Sequence, residues 1–379
     1  MDSARAGGPT IIDLFCGCGG FSLGAALAGF RSLAAIDIDP TLQSAYRRNF
    51  PASKAIQASV ADLDPAAWKR FIGKVRPDGV IGGPPCQGFS WIGRRRKGDP
   101  RNNLIDHFYR NVAMLRPKFF IMENVQGLLD QENAQILFTA LERVRRTYRV
   151  LDPMLVNAAH FGAATTRRRV IVIGYDPDQV DPLTPDMVMP RLPKRLATVR
   201  DAIADLPNPI LEEKDEEFGW AKYKSGYEPS DYASRMKKRP RDGLGWSEAI
   251  ARHSKGYVSG LTATKHSKAV ALRYASTPVG KSDPITKSYR LDWEGQCPTL
   301  RAGTGVDKGA FQAVRPLHPK IGRVITVREA ARLQAFPDWF VFHPTKWHSF
   351  RMIGNSVSPA VSHGLLSRIG GKMHVSLAG

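Results

Sequence analysis

Along the first half of the chain, short apolar runs alternate with stretches whose apolar positions recur at helical spacing. Thr10 to Phe15 (TIIDLF) is rich in β-branched residues and predicts a buried parallel strand. It feeds a glycine turn, CGCGG, and then FSLGAALAGF, whose small and apolar residues suit a helix packed on a sheet. Ser32 to Asp37 (SLAAID) predicts a second strand, Pro40 to Phe50 a helix, and Gln57 to Leu63 the end of a third strand. Val80 to Ser90 (VIGGPPCQGFS) begins as a strand and breaks at Gly82-Gly83. Pro84 and Pro85 then fix φ twice and remove two backbone donors, so the strand cannot continue. Further on, Asn103 to Leu115 predicts a helix, Lys118 to Met122 a strand and Ala134 to Arg146 a helix. Met154 to Ala158 and Val170 to Gly174 predict two more strands. The alternation, without internal repeat, specifies an α/β fold built on a doubly wound, mostly parallel sheet.

From Pro182 to about Lys320 long apolar runs disappear and Pro, Gly, Lys and aromatic residues take over. This predicts a second, smaller domain of irregular, β-rich structure. Its aromatics alternate with basic residues, a pattern suited to nucleic-acid contact, with most of the rings forming a small core. Helical periodicity returns at Val327 to Ala335. Gly354 to Ile369 reads as a loop entering a helix, with Asn355 or Ser356 as its cap. The expected division is therefore 1–181, 182–320 and 321–379, the last returning to the first domain.

Composition narrows the function. Hydrophobic residues make up 42% and charged residues 24% of the 379, as in an ordinary globular protein. The N-terminus carries no apolar signal sequence, and no window is long enough to span a membrane. Four cysteines, at 16, 18, 86 and 297, make neither a disulfide framework nor a paired metal pattern, so an intracellular setting and no metal are expected. Charge changes the picture most. With 55 Lys and Arg against 35 Asp and Glu, the net charge is +20, which suits a polyanionic partner. Local runs at Arg94 to Lys97, Arg167 to Arg169 and Lys237 to Arg239 concentrate it.

Chemistry collects at the predicted strand ends. Strand, glycine turn and helix N-terminus around Gly17, Gly19, Gly20 and Gly24 make a cofactor cradle, but Ser22 breaks a dinucleotide fingerprint. Asp37, ending strand two, is placed to accept hydrogen bonds from a ribose diol. Cys86 stands just past one strand and Glu123 at the end of another, with an arginine cluster downstream. Carbon 5 of cytosine cannot attack a methyl donor unaided. A thiolate adding to C6 makes it an enamine carbon, and a carboxyl group partnering N3 assists that addition. Nearby arginines hold the base or a phosphate and keep the thiol's pKa low.

These residues resemble the cytosine-C5 DNA methyltransferases over nearly the whole chain. The matching stretches, in the family's order, are DLFCGCGGFSLG (13–24), GGPPCQGFS (82–90), ENV (123–125), RRR (167–169), REAARLQAFPD (328–338) and GNSVSPAV (354–361). The resemblance implies the S-adenosylmethionine-dependent methyltransferase fold and transfer of a methyl group from S-adenosylmethionine to a flipped-out cytosine in double-stranded DNA. By position, Cys86 is then the nucleophile, Glu123 the N3 partner, and Arg167 and Arg169 contact base and phosphate. Cofactor contacts fall on Phe15, Gly17, Cys18, Gly19, Gly20, Asp37, Ile38, Ser59, Val60, Pro85, Leu104, Asn355 and Val357. DNA contacts fall on Gln87, Ser90, Arg94, Arg95, Arg96 and Arg301, with 87–102 as a loop closing over the base. A stand-alone bacterial-type enzyme follows: monomeric, cytoplasmic and nucleoid-associated, with a cognate restriction endonuclease left open.

Two departures from the family stand out. Ala164-Thr165 replaces Pro-Gln before the arginines, and Ser59 stands where an aspartate is usual, leaving Asp62 as an alternative adenine contact. Rival functions are methylation of a tRNA cytosine, and DNA binding without catalysis. The long second domain favours DNA over tRNA, and the complete set of catalytic side chains favours an active enzyme.

Overall fold

The computed structural model describes residues 7–85, 103–210, 217–226, 228–302 and 315–374. Five parallel strands form the centre of the sheet: β1 (Thr10–Leu14), β2 (Arg31–Asp37), β3 (Lys54–Gln57), β4 (Gly79–Gly82) and β5 (Phe119–Asn124). An antiparallel edge follows, with β6 (Arg149–Val150) and β7 (Met154–Asn157) both paired to β8 (Arg168–Tyr175), in the order β3-β2-β1-β4-β5-β8-β6. Helices α1 (Gly20–Leu27), α2 (Pro40–Asn49), α3 (Pro65–Ile72), α4 (Asn103–Leu115) and α5 (Gln131–Leu141) connect them. The strands are apolar without alternation because both faces are covered. Ile11, Phe119 and Ile171 enter one core, while their neighbours Ile12, Phe120 and Val170 enter the other.

This topology decides where chemistry sits. The parallel strands β1, β4 and β5 all end on one edge of the sheet. Because β8 runs against β5, pairing Asn124 with Val170, its beginning reaches the same edge. Arg167 and Arg169 are thereby delivered beside Glu123.

The second segment departs from its expectation. Among its described residues, the named strands are only β9 (Ala221–Lys222) and β10 (Tyr257–Val258), two residues each. Short helices prevail instead: α6 (Pro185–Val188), α7 (Val199–Ile203), α8 (Asp231–Met236), α9 (Ser247–Ser254) and α10 (Lys268–Ser276). Side-chain caps from Thr198, Ser230 and Ser267 start three of them. Its aromatics largely pack inward: Phe218, Trp220 and Trp246 share a small cluster with Val341, and Arg48 and Arg252 lie over their rings.

Three helices close the chain: α11 (Val327–Leu333), α12 (Lys346–Asn355) and α13 (Pro359–Gly370). Neither Asn355 nor Ser356 caps the last helix. Helix α12 runs on through Asn355, and Ser358 occupies the N-cap position of α13 while its hydroxyl donates to Gln334 O at 3.0 Å. Helix α13 lies on α1 so closely that a Cβ on Gly24 would stand 2.4 Å from Ser362 Cβ. Gly20 permits the same approach to the loop after α12, since its Cβ would fall 1.9 Å from Ser356 Oγ and 2.4 Å from Val357 O. Gly20→Ala is therefore expected to lose about 1–3 kcal/mol by overpacking against backbone. A thermal midpoint equal to wild type would contradict that close packing.

Candidate active site

The C-terminal edge of the sheet opens into a cavity of about 460 Å³. Its first wall is the turn after β1. Phe15 adopts φ 62 and Gly17 φ 55, so the chain folds sharply at both residues; for the aromatic this is a strained conformation. Asp37 fastens the turn: its Oδ2 accepts from Gly17 N at 2.8 Å and its Oδ1 from Asp39 N at 2.8 Å. Burial pushes the Asp37 carboxyl above the usual range, and those two backbone donors oppose the rise. Asp39 caps α2 and pairs with Arg351 of α12 at 2.6 Å. Asp13, only 1% exposed, lines the same wall. Burial keeps the thiols of Cys16 and Cys18 neutral, the latter pushed up to about 12.

Between Asp37 and Asp39, Ile38 is 67% exposed, an apolar side chain left uncovered at the cavity. Ser59, Val60 and Leu104 continue that side. Ser59 also starts a short 3-10 turn by accepting from Ala61 N, and Asp62 lies outside the lining. Between the two alternatives for this position, Ser59 is therefore the residue that faces the cavity.

The opposite end of the cavity carries Gly83, Pro84, Pro85, Glu123, Asn124, Arg167 and Arg169. Asn124 Nδ2 donates to Pro84 O at 3.2 Å, tying the proline turn to the end of β5. Gly83 lies against the Glu123 carboxyl, whose Oε2 would be 3.5 Å from a Cβ there. Arg169 Nε stands 3.1 Å from Glu123 Oε1, an ion-pair separation without hydrogen-bond alignment. Arg167 is 3% exposed and donates to Gly354 O at 2.9 Å, so it anchors the last segment as well as facing the site. Thr165 Oγ1 donates to Cys297 O at 2.8 Å and Cys297 N donates to Ala164 O, so the departure from Pro-Gln docks the second segment here.

The sequence model for C-5 cytosine-specific DNA methylases matches residues 9–371. The chain belongs to that family. It is 41% identical over 369 residues to the Type II methyltransferase M.XorII of Xanthomonas oryzae, covering 95% of this chain and 84% of that one. It is 32% identical to M.DdeI of Desulfomicrobium norvegicum, covering 95% and 88%. A crystal structure of an inferred DNA modification methyltransferase encoded within an E. coli prophage superposes with a TM-score of 0.85 at 41% identity, covering 96% and 99%. The S. pombe Dnmt2 methyltransferase, at 16% identity and a TM-score of 0.58 over 95% and 97%, shares the fold.

In this cytosine-C5 methylase the cavity gathers most of the residues singled out in the sequence. Phe15, Gly17, Cys18, Asp37, Ile38, Ser59, Val60, Pro85, Leu104, Glu123, Arg167, Arg169, Asn355 and Val357 all line it. Gly19 and Gly20 do not; Gly19, at φ 98, and Gly20 instead let Phe50 and the 356–357 loop approach. Arg301 is exposed, and its backbone packs on Gly354 at the cavity's rim. Cys86, Gln87, Ser90, Arg94, Arg95 and Arg96, and the loop 87–102 as a whole, lie outside the described residues. Sequence reasoning missed Asp13, Asn124 and Arg351, and ranked Asp39 behind Asp37 because Asp37 directly ends the apolar run. Asp13 carried a signal, an acid inside a buried apolar strand. Arg351 carried none, since only the return of α12 to α2 brings it here.

Proposed function

We propose that this cavity binds S-adenosylmethionine at its acidic end and a flipped cytosine of duplex DNA at the Glu123 end. The observation that carries the reading is the meeting, in one cavity, of an acid-lined turn with the Pro84–Pro85, Glu123 and Arg167–Arg169 groups. The acidic end fits the cofactor's charge. Among the described residues Asp13 Oδ1 is buried without a hydrogen-bond partner, and a sulfonium or ammonium group supplies the positive charge it lacks. Asp37 keeps acceptor capacity toward a ribose, and Ile38 offers an uncovered face to adenine. Bound there, the cofactor supplies an electrophilic methyl group.

The chain's own residues do the rest. Cys86 adds through its thiolate to C6, making C5 nucleophilic; after methylation, loss of the C5 proton and expulsion of the thiolate restore the ring. Glu123 hydrogen-bonds N3 and stabilises the charge that addition places on the ring. Arg169 orients Glu123, and Arg167 fixes the segment bearing Asn355 and Val357 against the site. Segment 182–320 serves as the target-recognition domain, in keeping with the +20 charge. A monomer acting beside a cognate restriction endonuclease in the bacterial cytoplasm completes the reading.

The test is direct. With radiolabelled cofactor, the protein is expected to label duplex DNA at cytosine C5 and to leave total tRNA unlabelled. Label in tRNA alone would overturn the DNA assignment, and DNA binding without label would overturn catalysis.

A further inference from the structure

Asp13 is a buried carboxyl group with no buried cation to match it among the described residues. Its Oδ2 accepts from Ser22 Oγ at 2.6 Å, and that hydroxyl in turn accepts from Tyr46 OH at 3.0 Å. Among the described residues its Oδ1 has no hydrogen-bond partner, although the residue lines the cavity. The surrounding groups offer little relief. Asp37 and Asp39 approach from the end of β2 and the start of α2, Cys16 and Cys18 from the turn, Tyr46 from α2 and Ser22 from α1. Arg351 on α12 is engaged with Asp39 and bears on Asp37. Glu123, Arg167 and Arg169 belong to the cavity's other end.

We infer that Asp13 holds a proton while the cavity lacks a cation and releases it when the cationic cofactor enters, so that cofactor binding and proton release are one coupled event. The inference rests on the cofactor assignment proposed above. Its balance is simple: the carboxyl O–H bond breaks, the proton passes to solvent, and the remaining carboxylate faces the new positive charge. Burial, opposed by the hydroxyl and the backbone N–H of Ser22 and helped by the charge of Asp37, pushes Asp13 up to about 7. An adjacent cation lowers it again. The sign follows. Below pH 7 the proton must be displaced before the cofactor binds, so affinity falls by roughly tenfold from pH 8 to pH 6.

Isothermal titration of the full chain with S-adenosylmethionine, in two buffers of different ionisation enthalpy at each pH, reads the released proton without recourse to activity. About half a proton per site is expected at pH 7, approaching one at pH 6 and vanishing above pH 8. Ser22→Ala removes the hydroxyl donor that favours the carboxylate, leaving the backbone N–H, and should move this release to higher pH. Asp13→Asn should bind with heats independent of buffer. Wild-type binding with identical heats in both buffers from pH 6 to 8 would overturn the inference, as would proton release retained in Asp13→Asn. If that variant does not fold, the wild-type and Ser22→Ala series decide. No binding of the cofactor at any pH would instead overturn the cofactor assignment, and this inference with it.

Discussion

Methyl transfer to duplex DNA is expected to fall to background, by roughly 10⁴-fold or more, when Cys86 is replaced by Ser or Ala. A cysteine's anion is accessible near neutral pH, whereas a serine hydroxyl is not ionised there. The turn leading to it is tightly held. Gly83 rests against Glu123, Asn124 fastens Pro84 O at 3.2 Å, and Pro85 lines the cavity. The next residue in the sequence is Cys86. The other three cysteines are buried, and burial raises each thiol's pKa, so none can substitute. Duplex DNA bearing 5-fluorocytosine supplies a second readout. Fluorine at C5 cannot leave as a proton does, so the wild-type adduct should persist as a covalent complex and the Cys86→Ser complex should not form. Turnover unchanged in either variant, with cofactor binding intact, would overturn covalent catalysis.

Much of the catalytic half was legible because its strands are buried on both faces. Thr10–Leu14, Arg31–Asp37 and Phe119–Asn124 lie within two residues of the expected runs, and Asn103–Leu115 matches its expectation. Burial on one side or none erases such signals, which is why the two-residue β6 went unread. The second segment was misjudged for a related reason. Helices of four to nine residues show little periodicity; here side-chain caps start α7, α8 and α10, and the rest of their support comes from tertiary contacts such as α7 on α11, α6 on α13 and α9 on β10. In Asn355-Ser356-Val357-Ser358 three residues suit an N-cap, and the choice was made by how far α12 runs. Site residues such as Arg351 were invisible because the chain closes on itself: Asp39 and Arg351 meet only through the fold.

Replacing Arg332 by Met is expected to lose about 3–5 kcal/mol of stability, the largest structural effect of any single change in the second segment's anchorage. Arg332 is fully buried and binds two carboxylates at once. Its Nε donates to Asp338 Oδ1 at 2.5 Å and its Nη1 to Asp205 Oδ1 at 3.1 Å. Tyr223 also donates to Asp338, and Lys237 pairs with Asp205 at 2.7 Å. Burial alone would push the Asp338 carboxyl up, but the charge and hydrogen bonds of Arg332 outweigh it and hold the group below its usual range. Beside it Arg328, fully buried as well, donates to Ser259 O at 2.9 Å and Phe340 O at 2.7 Å. Together these arginines of REAARLQAFPD join the segment after α7, the end of α8 and the residues following β10 to helix α11. Methionine in place of Arg332 leaves Asp205 to Lys237 and Asp338 to Tyr223 and the more distant Arg328, two buried anions each short of its main cation, whereas Arg332→Met combined with Asp338→Leu removes one of them along with its partner. The double variant should therefore regain part of the loss, although each change alone is destabilising. Urea unfolding of the three proteins reads the coupling. A loss under about 1 kcal/mol for Arg332→Met would mean that water reaches the network, and that the second segment is held to the sheet by its apolar contacts instead.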